Sequence, residues 1–325
     1  MHIFKRLITG LGIGAVFIAS AMAQKSWPDG PITIIVPFGT GNGLDVMARS
    51  YGVQLGQQLK ASVVVDNKEG AGGLIGTMAA GRATPNGRTI LFTAEYPFLT
   101  TPYMQPGQTY EPASDFMPIA KVATSPHVLV VAQNSSFKNV NDLVQFSKSN
   151  PGQLSFASSG IGTPSQLYME RTLKDLGVSA THVPYKSTGT AITDVIGGQV
   201  PLYMPSLSAA LPLLRDGKLR ALAVGSSKRI AKLPDVPTLA EIFKQPGLDA
   251  YVWFGFLAPK GTPPDVVERL QRGIEVATKS PAVVEMFTQI DAEFAPAGSR
   301  QFGVDIREGE KRARTLLSLA GVPLK

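Results

Sequence analysis

Ile32-Thr-Ile-Ile-Val36 followed by Pro37-Phe-Gly-Thr-Gly-Asn-Gly-Leu-Asp45 decides the reading of this chain. Five residues dominated by β-branched side chains specify a buried strand, and Pro37 ends it. Three glycines then allow a tight turn, and Val46 to Leu59 carries the apolar spacing of an amphipathic helix. A strand, a glycine-rich turn and a helix in that order form the first unit of an α/β fold. The unit continues with a strand at Ser62–Asp66, a glycine loop, a helix across Leu74–Arg82 and a strand at Thr89–Thr93.

The same alternation returns further on. Strands are predicted at Val128–Val131, Leu154–Ala157, Thr181–Pro184, Val200–Tyr203 and Leu219–Val224, with helices opening near Asn139 and Ser165. Helical signals close the chain, beginning at Pro263/Pro264, Pro281 and Phe302. Ile34–Asp45 and Leu154–Ser165 echo one another as strand, glycine turn and helix start, one in each half. The expected architecture is two lobes, each a mostly parallel sheet flanked by helices. Residues 24–124 plus 246–325 would form lobe 1 and residues 125–245 lobe 2, with a ligand cleft between them.

Composition narrows the function. The chain has 325 residues, 44% hydrophobic and 17% charged, which suits filled cores rather than disorder. Lys5 and Arg6 precede an uncharged apolar run from Leu7 to Ala19 and an Ala21-Met-Ala23 processing pattern. Residues 1–23 therefore read as a secretory leader, cleaved after Ala23, which places the mature chain in the periplasm. There is no cysteine, which excludes thiol nucleophiles, thiolate zinc and iron–sulfur sites. The net charge of +7 is spread without a basic stripe, so nucleic acid is not an expected partner.

Catalytic patterns are missing. No H-E-x-x-H, G-x-S-x-G or Walker A sequence occurs, and His127 and His182 stand far apart. Gly70-Ala-Gly-Gly-Leu-Ile-Gly76 misses the dinucleotide spacing by one residue and reads as a packed turn. Ser135-Ser-Phe-Lys138 satisfies S-x-x-K but lacks its K-T-G companion, and the acidic residues show no calcium-loop spacing. No catalytic residue, metal or cofactor is expected.

An anion grip is the chemistry the residues favour. Ligands of α/β sheets collect at the carboxyl ends of strands beside helix N-termini, where free N–H groups and the helix dipole attract negative charge. Gly39, Gly41 and Gly43 would allow close backbone approach in the first loop. Gly160 and Gly162 would do so in the second, with Ser158, Ser159, Thr163 and Ser165 adding hydroxyls. Asp45, in the first turn of a helix, reads as a cap-region residue rather than a general base.

The chain resembles, over essentially its full mature length, the substrate-binding proteins of tripartite tricarboxylate transporters, the Bug family. The resemblance rests on Ile34-Ile-Val-Pro-Phe38 with Asp45, Asn67 with Gly70-Ala-Gly-Gly73, and Phe156-Ala-Ser-Ser-Gly160. It continues through His182-Val-Pro-Tyr-Lys186, Gly197-Gly-Gln-Val200, Gly217–Val224, Leu233–Thr238 and Trp253-Phe-Gly-Phe-Leu-Ala-Pro259. It implies a two-lobed "Venus flytrap" that closes on a small organic carboxylate. Membrane permease subunits would be its partners, in a monomer that is not an enzyme. The family's ligand loops map onto Phe38, Gly39, Thr40, Gly41, Asn42, Gly43 and Asp45, and onto Ser158 to Gln166. Thr93 to Tyr96 should also face the cleft.

Departures from the family pattern bear on specificity. Gly39-Thr40 stands where relatives carry prolines, Leu44 replaces a threonine, and Gln166 replaces a frequent histidine. Pro201 and Pro205 occupy positions where relatives commonly show aspartate. Pro205 offers no side-chain acceptor for an ammonium, so an acid without an amino group is the expected ligand. Two other roles remain open at this level: a ligand-sensing partner of a membrane kinase, and a secreted hydrolase. The hydrolase lacks an assembled nucleophile and base.

Overall fold

The computed structural model describes residues 27–105, 107, 110–244, 249–289 and 292–324. The leader and its cleavage site lie outside the described residues. The chain opens as β1 (Ile32–Val36), α1 (Gly43–Leu59), β2 (Val63–Asn67), α2 (Leu74–Gly81) and β3 (Thr89–Ala94). Short helices α3 (Glu95–Leu99), α4 (Thr101–Met104) and α5 (Pro112–Asp115) lead into the long strand β4 (Phe116–Pro126). A second run comprises β5 (Val128–Ala132), α6 (Val140–Ser149), β6 (Ser155–Ser158), α7 (Pro164–Asp175), β7 (Thr181–Pro184) and α8 (Thr188–Ile196). It ends with β8 (Leu202–Tyr203), α9 (Leu207–Arg215), β9 (Leu219–Val224) and α10 (Leu239–Phe243). The chain returns through β10 (Tyr251–Pro259), α11 (Pro264–Thr278), α12 (Pro281–Gln289), β11 (Glu293–Gly298) and α13 (Ser299–Leu319).

These elements make a two-lobed α/β fold. One sheet has the order β11-β4-β10-β3-β1-β2, the other β7-β6-β8-β5-β9. As expected, most strands of each sheet run one way, four of six in the first and four of five in the second, and the rest make each sheet mixed. β1 runs parallel to β2 and β3, and β6 parallel to β7 and β8. β10 instead lies antiparallel to β3 and β4, and β5 antiparallel to β8 and β9. The reason is the route of the chain. It leaves the first sheet on β4 and re-enters on β10, so the two crossing strands must point in opposite directions.

Packing follows the strand period of two. Ile32, Ile34 and Val36 are fully buried against Met47, Tyr51 and Leu55 of α1. Ile35 points the other way, into a cluster with Phe98, Trp253 and Phe302. Tyr51 anchors the first core, its ring 5.2 Å from Phe256 and its hydroxyl 3.0 Å from Thr278 Oγ1. Two crossings join the sheets. At this waist His127 N–H donates to Ala250 O at 2.7 Å, Ala250 N–H to Gly225 O at 2.7 Å, and Gly225 N–H to His127 O at 2.8 Å.

α13 belongs to both lobes. Phe302 and Ile306 pack with Trp253 on the first sheet. Leu316, Leu317 and Val322 join Leu129, Phe156, Leu167 and Tyr168 in the core of the second, together with Tyr103. Arg312, between those ends, forms an ion pair with Glu95 at 2.9 Å. Burial raises the pKa of the Glu95 carboxyl, and the Arg312 guanidinium opposes that rise.

Candidate functional site

The two glycine loops sit at the carboxyl ends of β1 and β6, each feeding a helix N-terminus. They share one hydrogen bond, from the glycine before the cap to the third helical residue. In the first, Asn42 caps α1, its side-chain oxygen accepting from Leu44 N at 2.8 Å and Asp45 N at 3.1 Å. The N–H of Gly41 donates to Asp45 Oδ2 at 2.8 Å. In the second, Thr163 is the cap residue of α7 and the N–H of Gly162 donates to Gln166 Oε1 at 2.6 Å. Gly41 and Gly162, with φ of 86° and 73°, are the residues immediately before the cap. Asp45 and Gln166, four residues on, reach back to them. The sequence echo is therefore a structural one.

The loops are tied to their surroundings by different means. Asp45 is 2% exposed and pairs with Arg49, Nη2 to Oδ1 at 2.9 Å. Burial alone would raise its pKa, but hydrogen bonds from Arg49 and from Gly41 N–H outweigh this and hold the carboxyl below its ordinary value. Arg49 also donates to Asn67 Oδ1 at 2.9 Å, and Asn67 Nδ2 donates to Phe38 O at 2.9 Å. Asn42 Nδ2 donates to Gly39 O. What remains outward is Thr40, Gly41 and Gly43, all exposed. Asn42 satisfies the N–H groups of Leu44 and Asp45, so the Gly43 N–H is left as the open donor of the helix start.

Hydroxyls hold the second loop together. Ser159 N–H donates to Ser165 Oγ at 3.0 Å, and the Ser159 and Ser165 hydroxyls are also 3.0 Å apart. Thr163 Oγ1 donates to Gly160 O at 2.6 Å and lies 3.1 Å from Ser165 Oγ. Ser158 Oγ accepts from Gly160 N–H at 3.1 Å and meets His182 Nε2 at 2.7 Å. Gly160, with φ of 132°, keeps its N–H turned onto Ser158.

The remaining predicted residues take three places. Thr93 is buried at the end of β3, its hydroxyl donating weakly to Ala94 O at 3.4 Å. Tyr96 is half-buried in α3, its carbonyl accepting from Thr100 N at 3.0 Å and Thr100 Oγ1 at 2.7 Å. Tyr96 also lines a cavity with Glu95, Leu99, Tyr168 and Arg312. Pro205 is buried at the waist, its carbonyl accepting Val128 N–H at 2.9 Å.

The α3–α4 segment links the loops. A Cβ placed on Gly73 would lie 2.8 Å from Pro97 and 3.4 Å from the Phe38 ring, so the first loop packs on α3 through Gly73. A Cβ on Gly162 would lie 2.3 Å from Met104 Cε, so the second loop packs on α4. Four positions that hold the loops were not among the predicted site residues: Arg49, Asn67, Met104 and His182. Asn67 and His182 were visible as parts of family phrases, and Arg49 stands one helical turn after Asp45. Nothing in the sequence signals Met104.

Comparison with known proteins agrees with this architecture. Residues 47–322 match the tripartite tricarboxylate transporter family receptor. Protein BugT of Bordetella pertussis is 36% identical over 281 residues, covering 86% of each chain. An R. palustris protein solved with adipate superposes with a TM-score of 0.75 at 29% identity, covering 91% of this chain and 99% of its own. MatC from Rhodopseudomonas palustris, with bound malate, gives a TM-score of 0.71 at 26% identity, covering 90% of this chain and 100% of its own. With two mixed sheets, paired strand–glycine–helix loops and this match, the chain belongs to the receptor family of the tripartite tricarboxylate transporters, which are solute-binding proteins.

Proposed function

We propose that this receptor captures a small organic carboxylate without an amino group, unchanged, in the cleft between its two glycine loops. In the periplasm it would hand that acid to the membrane permease subunits of a tripartite transporter. The observation that carries the reading is the repeated loop. Two helix N-termini, one per lobe, follow glycine turns whose inner N–H groups are satisfied by the third helical residue. The first presents an open Gly43 N–H, and the second a cluster of hydroxyls around Ser159 and Thr163. Neutral donors of this kind suit a carboxylate. Adipate and malate, the acids held by two structural neighbours, are both dicarboxylates without an amino group. Pro205 supports the same class, since it provides no acceptor for an ammonium.

Calorimetry with adipate, malate, benzoate, aspartate and glutamate tests the reading. At least one amino-free acid is expected to bind saturably without being altered. At 100 times its Kd it should stabilise the fold by about 2.7 kcal/mol. Tightest binding by aspartate or glutamate would overturn the amino-free assignment, and silence from every acid would overturn the carboxylate reading.

A further inference from the structure

The second loop rests on a side chain outside it. His182 of β7 is the register partner of Phe156 of β6, and its ring stacks on that phenyl with centroids 4.9 Å apart. Its Nε2 lies 2.7 Å from the Oγ of Ser158, a residue with no exposed surface. Ser158 Oγ already accepts the Gly160 N–H, while Gly160 O already receives the Thr163 hydroxyl at 2.6 Å. With the neutral imidazole protonated on Nδ1, the Ser158 O–H donates to Nε2.

We propose that His182 is a positioning residue of the anion grip, fixing Ser158 and through it the Gly160 turn, and that anion binding and protonation of His182 favour one another. The inference rests on the carboxylate reading above. On protonation, Nε2–H donates to Ser158 Oγ and the Ser158 hydroxyl turns to Gly160 O, 3.1 Å away. Gly160 O has a second lone pair for it beside the Thr163 hydroxyl, so the turn stays closed. The loop gains a positive charge behind it, which favours an anion. By reciprocity, a bound anion raises the proton affinity of the imidazole.

Few groups compete for control of this histidine. The groups facing the ring from β6 are Phe156 and Ser158. On its own segment Tyr185 and Lys186 follow, and Asp194 of α8 accepts from the Tyr185 hydroxyl at 2.7 Å. Burial, rather than any charged neighbour, holds His182 below its ordinary pKa.

The test is calorimetry with adipate and malate at about pH 6 and about pH 8, on wild type, His182→Gln and His182→Phe, with unfolding measured alongside. Wild type should bind more tightly at the lower pH. His182→Gln keeps a neutral hydrogen-bonding group, so it should stay within about threefold of wild type at the higher pH and lose the pH dependence. His182→Phe should weaken binding about tenfold at the higher pH. Should His182→Phe fold poorly, His182→Gln decides. Residues 24–325 contain only His127 and His182, so the imidazole resonances are separable, and the His182 midpoint should rise on saturation with acid. A midpoint that does not move, or a pH dependence that survives in His182→Gln, overturns the proposal alone. Failure of wild type to bind either acid overturns the carboxylate reading and this inference with it.

Discussion

The two glycine loops are built to one plan and fastened by different chemistry. In both, the glycine before the cap donates its N–H to the side chain four residues later. In the first loop that acceptor is a carboxylate locked by Arg49. In the second it is the neutral amide of Gln166, and the fastening outside the loop is an imidazole. Their glycines also differ. A Cβ at Gly43 meets nothing within 4 Å, whereas one at Gly162 would run into Met104. Glycine spacing thus reports the shape of a turn, and the side chains around it decide which N–H groups stay open.

The largest expected effect comes from breaking the second loop. Gly162→Val must place a β-branched residue at φ 73° and force Met104 aside. It should cost about 3 kcal/mol of stability and remove carboxylate binding, as read by denaturant unfolding and calorimetry. Retained stability would show that the loop can move away from α4. Gly43→Val is the sharper contrast. It should leave stability within about 1 kcal/mol, because nothing is struck and φ is ordinary. Affinity should nevertheless fall at least about tenfold, since the added side chain covers the open N–H. Wild-type affinity in that variant would remove Gly43 from the grip.

The smallest effect separates the two fastenings by pH. Asp45→Asn should cost about 1 kcal/mol near neutrality, a value kept low because Arg49 is half-exposed. The folded-state pKa of Asp45 is depressed, so its contribution is complete above the ordinary aspartate range and disappears as pH falls through the folded value. Unfolding midpoints of wild type and Asp45→Asn should therefore converge only in strong acid. A gap that closes near pH 6, where histidine titrates, would mean that the first loop too depends on an imidazole.

Much of this was legible in the sequence. The β-branched run at Ile32–Val36, the glycine turns, and the prolines opening α11 and α12 each specify their element locally. The direction of β4 and β10 was not, because antiparallel crossing follows from the route of the chain between lobes. The Venus-flytrap class and the family emerged from spaced phrases such as Phe156–Gly160 and Trp253–Pro259. Within the candidate site the loops were readable and their wiring was not. Gly41 and Gly162 each carry an N–H already taken by a side chain, a bond set by geometry that residue spacing does not reveal. Met104 was invisible because its role comes wholly from the fold, which sets it with Tyr103 against the second lobe's core and the Gly162 turn.

The straddling helix α13 also sets an order of events for a chain that emerges from its N-terminus. The second lobe contributes strands from residues 128–224, yet its core includes Leu316, Leu317 and Val322. Until those residues arrive, Leu167 and Tyr168 lack part of their apolar cover. The return strand β10 is likewise needed between β3 and β4 of the first sheet. Neither lobe can complete its packing during synthesis until the chain as far as Val322 is available, so both stay partly open until then.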